Sequence, residues 1–410
     1  VAGVAAAATT CAFLAACGDA DDSVRYLPVV TWQVGPDRLD AAALAQTCTD
    51  QAAGEYSIEV EKLPADVSDR HALLTRRLLA HDDSVELMSL DSAFTTELAE
   101  AGFLAPLPAA QAATLAEGVT PAALAAASHD GKLVVAPWFL DPQVLWSRGS
   151  TAERAGLDMT KPISWDDLVA GAQRLGVTIE IEDRDGSGLS EWVNALVTGA
   201  GGSLVSGTGR SSKAGLDSDA GREAASIVAL YHGAGVGPGP SADALTRFAG
   251  AGGGFLIAST SAIADPALSA VQADMRVAGY PTVGEASIAP LAGAGLAVSA
   301  HAAALDQQAA FTAIECLTSP ASLQALATGS QHTPSRLGVL DDPAVAAGLR
   351  SVDAARAASA TGVTVPAVPE WVNVVDALDE TWRPLSDVTQ DATPGASQAE
   401  VQAALAGTIR

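Results

Sequence analysis

Val85-Glu86-Leu87-Met88-Ser89-Leu90-Asp91 is an apolar run that ends in a carboxylate, and its neighbours decide the fold class. Just before it, the stretch from His71 to His81 carries Leu73, Leu74, Leu78 and Leu79 at helical spacing. Further back, Tyr56-Ser57-Ile58-Glu59-Val60-Glu61 alternates as a strand with one polar face does. Asp40 is suited to cap a helix through Leu44 to about Cys48. Before that helix, Leu27-Pro28-Val29-Val30-Thr31-Trp32-Gln33 is a β-rich run followed by the turn Gly35-Pro36-Asp37. The order strand, helix, strand, helix, strand predicts an α/β unit with a parallel sheet, whose ligand groups belong at the carboxyl ends of the strands.

With 410 residues, the chain exceeds the size at which a single core stops growing, so two domains or two lobes are expected. Lys and Arg number 22 against 48 Asp and Glu, a formal charge of -26. Such a surface repels nucleic acid and anionic membranes, which excludes both as partners. Glycine-rich phosphate loops, nucleophile elbows and His-Glu-x-x-His are all absent from the sequence, and the six histidines are scattered singly. Glu180-Ile181-Glu182-Asp183-Arg184-Asp185-Gly186 is dense in carboxylates but lacks the full Ca²⁺-loop pattern, and it reads as a solvated acidic loop. No catalytic residue, metal or cofactor is expected.

At the start, Leu14-Ala15-Ala16-Cys17 closes an uncharged apolar run and turns at once into Gly-Asp-Ala-Asp-Asp. This resembles a bacterial lipobox, so residues 1–16 read as a signal peptide and Cys17 as the lipidated residue. Residues 17–26 form a polar tether, and the membrane is met only through that lipid. The location is then extracytoplasmic. Cys11 leaves with the signal peptide, so Cys48 and Cys316 remain as a pair in an oxidising compartment and are expected to form a disulfide. Such a bridge brings the chain back late to the lobe it began.

A longer set of motifs runs through the middle. Phe94-Thr95-Thr96-Glu97-Leu98-Ala99-Glu100-Ala101-Gly102-Phe103-Leu104-Ala105-Pro106-Leu107 follows Asp91, and Gly131-Lys132-Leu133-Val134-Val135-Ala136-Pro137-Trp138 leads into Asp141 to Trp146. Pro162-Ile163-Ser164-Trp165-Asp166-Asp167-Leu168 and Gly186-Ser187-Gly188-Leu189-Ser190-Glu191-Trp192-Val193-Asn194 come next. Together they resemble the extracellular solute-binding proteins of sugar-type ABC importers, and within that family the trehalose-binding lipoproteins. The resemblance implies a two-lobed, periplasmic-binding-protein-like α/β fold with a ligand cleft and a hinge. Lobe 1 would hold residues 27–137 plus about 262–317, and lobe 2 residues 138–261 plus about 318–410. It further implies a monomer that captures a di- or oligosaccharide and passes it to ABC permease transmembrane subunits. The competing readings are a secreted carbohydrate-active enzyme and a binding protein for a non-sugar solute.

Sugar recognition takes carboxylates or amides for vicinal hydroxyls and aromatic faces for the ring. The candidates are Asp37, Asp91, Asp141, Trp32, Trp138, Trp192, Asn194 and Trp371. Asp91 is the leading one, as a ligand contact that the resemblance places there or as the N-cap of the next helix. Trp192 and Asn194 are two residues apart on a helix and do not share a face, so at least one of them is structural. Relatives that bind trehalose carry an aromatic platform where Ser259 stands here and an arginine where Val365 stands.

Overall fold

The computed structural model describes residues 27–407 apart from 36–38, 185 and 208. The expected signal peptide, Cys17, the tether to residue 26 and Asp37 lie outside the described residues. β1 (Val29–Val34), β2 (Ser57–Lys62) and β3 (Leu87–Asp91) alternate with α1 (Ala41–Gln51) and α2 (Val67–Leu79). β1 lies between the other two strands and is parallel to both. Each helix begins at an aspartate that satisfies amides lacking an intrahelical partner. Asp40 accepts from the amide of Ala43 at 3.1 Å, and Asp66 from those of Ser68 and Asp69 at 2.9 and 3.0 Å.

The remaining strands of the main sheet are β4 (Ala136–Arg148), β5 (Thr178–Glu182), β6 (Pro240–Ser241), β7 (Gly253–Ser259), β8 (Met275–Ala278) and β9 (Leu291–Val298). They complete one sheet in the order β6-β5-β7-β4-β9-β3-β1-β2, with β8 also paired to β4. β4 carries the architecture. Up to Pro142 it runs antiparallel to β9, which in turn lies against β3; from Gln143 to Ser147 it runs antiparallel to β7.

Apolar side chains collect into separate cores on the two sides of this change of partner, and the molecule is two-lobed. One side gathers Trp32, Leu44, Trp138, Leu296 and Ile314, with Leu74, Leu90 and Phe94 beneath α2. The other gathers Trp146, Trp165, Ile181, Trp192, Phe255 and Trp382. The lobe boundaries differ from those expected. Ile263, Leu268, Tyr280 and Ala289 pack in the second core, so residues 262–289 do not belong with the first lobe. β8 is the reason, because its pairing with the far end of β4 holds this segment in place until β9 begins. In the opposite sense, Leu323 and Leu326 pack in the first core, and the chain contributes to the second again from about Ala358.

Of the further helices, three bear on the disulfide and the site: α3 (Gly188–Gly199), α4 (Ala304–Leu317) and α5 (Trp371–Trp382). Cys48 on α1 and Cys316 on α4 form the expected disulfide, with Cα atoms 5.8 Å apart across a sequence separation of 268. Among the described residues, no helix is long and apolar enough to cross a membrane.

Candidate functional site

The site begins where β4 changes partners. Leu291 opposes Pro142 and Ala292 opposes Asp141 on the β9 side, while Ser259 of β7 opposes Gln143. Side chains two apart on a strand share a face. Asp141 and Gln143 accordingly line one cavity of about 70 Å³ between the lobes.

The first lobe supplies Asp91, at the carboxyl end of β3. It does not cap the following turn. Instead its Oδ2 accepts from both Nε and Nη2 of Arg70, at 3.1 and 2.8 Å. Arg70 Nη1 also donates to the carbonyls of Pro64 and Ala65. The guanidinium is buried while Asp91 is 31% exposed, so a fixed cation holds a carboxylate that still reaches the cavity.

The second lobe supplies the residues expected to be a solvated acidic loop. Thr178-Ile179-Glu180-Ile181-Glu182 is a buried strand, and its glutamates find partners inside. Glu180 meets Arg247 at 2.8 Å. Glu182 accepts from the amide of Ser259 at 2.9 Å and lies 3.6 Å from Arg184, which donates to the Ser259 hydroxyl at 2.5 Å. Glu191, from α3, accepts from Gln143 Nε2 at 3.3 Å and from the Ser187 hydroxyl at 3.2 Å.

Beneath them Asp141 is buried against His332, with Oδ2 2.5 Å from Nδ1, and its Oδ1 accepts from the Thr333 amide at 2.9 Å. Burial pushes the Asp141 carboxyl up, but the charge and hydrogen bond of His332, the charge of Arg184 and a hydrogen bond from Ser261 outweigh it and hold the group below its ordinary value.

A second cavity of about 250 Å³ adjoins the first and shares Asp91, Ser187, Glu191, Ala292 and Gly293 with it. Its walls change character, with Phe94 on one side and Val365, Trp371, Asp376 and Asp379 on the other. Together the chambers reach the lower end of the roughly 300–1,000 Å³ of small-molecule sites. The inner chamber places carboxylates beside guanidinium, amide and hydroxyl groups, an alternation of donors and acceptors matched to a polyhydroxyl solute. Among the described residues, no group of three or more His, Cys, Asp or Glu is placed to hold a metal ion.

A family model for bacterial extracellular solute-binding proteins matches residues 43–350. The chain belongs to that family. Members bind solutes outside the cytoplasm, so this is a binding protein rather than an enzyme. Solved structures carry the same fold. Maltose-bound MalE3 of T. maritima superimposes with a TM-score of 0.78 at 21% identity, over 91% of this chain and 98% of that one. UgpB of Mycobacterium tuberculosis, in complex with glycerophosphocholine, gives 0.78 at 19% identity over 93% and 99%. The GacH receptor of Streptomyces glaucescens, solved unliganded and with acarbose, gives 0.77 at 18% identity over 93% and 99%.

Of the residues expected in the site of this solute-binding protein, Asp91, Asp141 and Trp371 line the cleft, Trp371 with only 3% of its surface exposed because its ring packs in the second core. The other described candidates are built into the lobes. Trp32 is fully buried, donates from Nε1 to Ser89 Oγ at 3.1 Å and meets Trp138 edge-on at 5.6 Å. Trp138 is equally buried. Trp192 packs between Trp165 and Tyr231, and Asn194 Nδ2 donates to the Thr364 carbonyl at 3.1 Å. A large aromatic next to a polar strand end is drawn into the core when burying its area outweighs ligand access. Both positions that depart from the trehalose-binding pattern face the cleft, Ser259 in the inner chamber and Val365 in the outer.

Sequence reasoning missed Arg70, Gln143, Glu182, Arg184 and Glu191. Two of them had a readable signal. Arg70 is a cation in the first turns of a helix, where the dipole disfavours it, which calls for a carboxylate partner. Glu182 ends an alternating run at the carboxyl end of a strand.

Proposed function

We propose that this solute-binding protein captures a di- or oligosaccharide of the trehalose type and delivers it to the transmembrane subunits of an ABC permease. It would work as a monomer, tethered by a lipid on Cys17. The observation that carries the saccharide reading is the inner chamber, where Asp91, Asp141, Gln143, Glu182, Arg184 and Glu191 surround one small space. Trp371 borders the adjoining chamber, with 3% of its surface exposed and the rest packed in the second core. Maltose, acarbose and cyclic α-maltosyl-1,6-maltose are the ligands named for structural neighbours, which supports the same class.

No bond is made or broken in this mechanism. Asp91 belongs to one lobe and Glu182, Arg184 and Glu191 to the other, so a solute touching both stabilises the closed arrangement over the open one. β4 and β9, which cross between the lobes, are the natural hinge. With Ser259 and Val365 at the departing positions, the chambers fit a saccharide whose contacts differ from those of trehalose itself.

The test is thermal unfolding of the mature chain against a panel of disaccharides, with amino acids, betaines and glycerophosphocholine as controls. A ligand at a hundred times its dissociation constant stabilises by about 2.7 kcal/mol. A shift with a disaccharide that disappears in Asp91→Ala supports the reading. A shift with the controls alone refutes it. For the anchor, incorporation of labelled palmitate that is lost in Cys17→Ala is the expected result.

A further inference from the structure

The inner chamber is nearly complete in its hydrogen bonds. Asp91 accepts twice from Arg70, Arg184 donates to the Ser259 hydroxyl, and Glu182 accepts from the Ser259 amide. Asp141 is taken up by His332 and the Thr333 amide, and Ser187 donates to Glu191. Gln143 departs from this pattern. It is only 5% exposed, its Nε2 donates to Glu191 at 3.3 Å, and its Oε1 has no hydrogen-bond partner among the described residues. Gln143 lines the inner chamber and not the outer one.

The orientation of this amide is fixed by its neighbours. A carboxylate only accepts hydrogen bonds, so the amide nitrogen is the atom turned to Glu191 and the oxygen is the atom turned away from it. Gln143 also shares a strand face with Asp141, which places both side chains at the chamber. An amide oxygen buried without a donor carries a desolvation cost, and native structures seldom keep one without a use. The chamber's own donors are engaged elsewhere, Arg70 with Asp91, Arg184 with Ser259 and Ser187 with Glu191. The missing donor therefore comes from what enters the chamber, and in a polyhydroxyl solute that donor is a hydroxyl.

We propose that Gln143 sets the specificity of the cleft by accepting a hydrogen bond from one free hydroxyl of the solute. This deepens the saccharide reading and rests on it. The part of the solute that enters the inner chamber carries an unsubstituted hydroxyl, and a deoxy or O-methyl form at that position is rejected. The discrimination comes from the buried acceptor that such an analogue leaves unpaired.

The experiment is calorimetric titration of the mature chain and of Gln143→Met with trehalose, maltose and their monodeoxy derivatives, with glycerophosphocholine as a non-sugar polyol. For the parent sugar, Gln143→Met is expected to bind about tenfold more weakly, and one monodeoxy derivative to lose about tenfold against wild type but little against Gln143→Met. A loss that no single hydroxyl shares, or no loss at all, overturns the proposal. Urea unfolding of the free chain is the second measurement and needs no ligand. Because Gln143→Met removes a buried unpaired oxygen, its midpoint is expected to equal or exceed that of wild type; a lower midpoint makes Gln143 a structural residue and overturns the proposal too. Binding of glycerophosphocholine with no sugar bound refutes the saccharide reading, and the proposal then stands or falls on whether Gln143→Met weakens that complex about tenfold. If nothing binds, the saccharide reading fails and the unfolding midpoint alone decides the role of Gln143.

Discussion

The carboxylate of Asp141 lies 2.5 Å from Nδ1 of His332, and both side chains are buried beneath the cleft floor. The contact ties the middle of β4 to a segment 191 residues later, at the point where the strand passes from one lobe to the other. The Asp141 carboxylate is hydrogen-bonded by His332 and by the Thr333 amide, and bonds to a charged group are worth about 1.5–3 kcal/mol each. Asp141→Asn should therefore lower the free energy of unfolding by about 3 kcal/mol near neutral pH, measured by urea denaturation. The pH dependence has a fixed sign. A carboxyl held below its ordinary value in the folded state stabilises fully above that value, 3.8, and the contribution disappears as pH falls through the lower folded value. The gap between wild type and Asp141→Asn should thus narrow only below about pH 3.8; a gap that stays constant down to pH 2 would sink the assignment.

Arg70 makes four hydrogen bonds in a planar fork, two to Asp91 Oδ2 and one each to the carbonyls of Pro64 and Ala65. A lysine ammonium keeps the charge but cannot serve both sets at once. In Arg70→Lys the Asp91 carboxylate loses its fixed orientation, and bonds to charged groups are worth about 1.5–3 kcal/mol each. Solute affinity should fall about tenfold or more, read as a smaller ligand-induced rise in melting temperature. An unchanged rise would mean that Asp91 is positioned without Arg70.

The N-terminal half of the fold was legible because its signals are local. Asp40 caps α1 as its place in the sequence predicts, and the alternating run at Tyr56 becomes β2 one residue later. Asp91 and Asp141 were legible as carboxylates in or at the end of apolar strands. Whether a tryptophan packs inward is different, because it depends on what the rest of the chain places beside it. Trp32 and Trp138 are 106 residues apart and bury each other, and Trp371, at the start of its helix, packs in the second core while still bordering a cavity. Glu180 and Glu182 looked solvated because nothing near them in sequence announces Arg247 or the amide of Ser259, both more than sixty residues away. The lobe boundary failed for a related reason. β8 has only four residues, and its pairing with β4 is invisible before both strands exist.

The disulfide between Cys48 and Cys316 closes a loop spanning a sequence separation of 268 residues. In the chain-entropy model a loop of that length restricts the denatured ensemble by roughly 5 kcal/mol. Cys48→Ala/Cys316→Ala should therefore be less stable than wild type under oxidising conditions and match it once wild type is reduced. Equal stability before reduction would show that the bridge contributes nothing through the denatured state.

Gly293 makes the closest backbone approach in the cleft. A Cβ at this position of β9 would sit 2.3 Å from the carbonyl oxygen of Phe139 and 2.9 Å from Leu140 Cδ2, and the register of β9 against β4 slips immediately beyond it, between Ala294 and Gly295. The neighbouring atom is backbone, so Gly293→Ala can be accommodated only by moving β9 away from β4, the two strands that cross between the lobes. Overpacking of this kind costs about 1–3 kcal/mol. The same displacement shifts Asp141 and Gln143, which share β4 with Phe139, so solute affinity should fall along with stability. Gly329→Ala is the matched control. It lies near the end of the helix Pro320–Ser330 with open space around its Cβ direction, and there alanine should be neutral or stabilise by up to about 1 kcal/mol. Urea denaturation and ligand titration of the two variants decide the point: if Gly293→Ala kept both stability and affinity, the two strands would have slack that their contacts deny, and the hinge would have to be sought elsewhere.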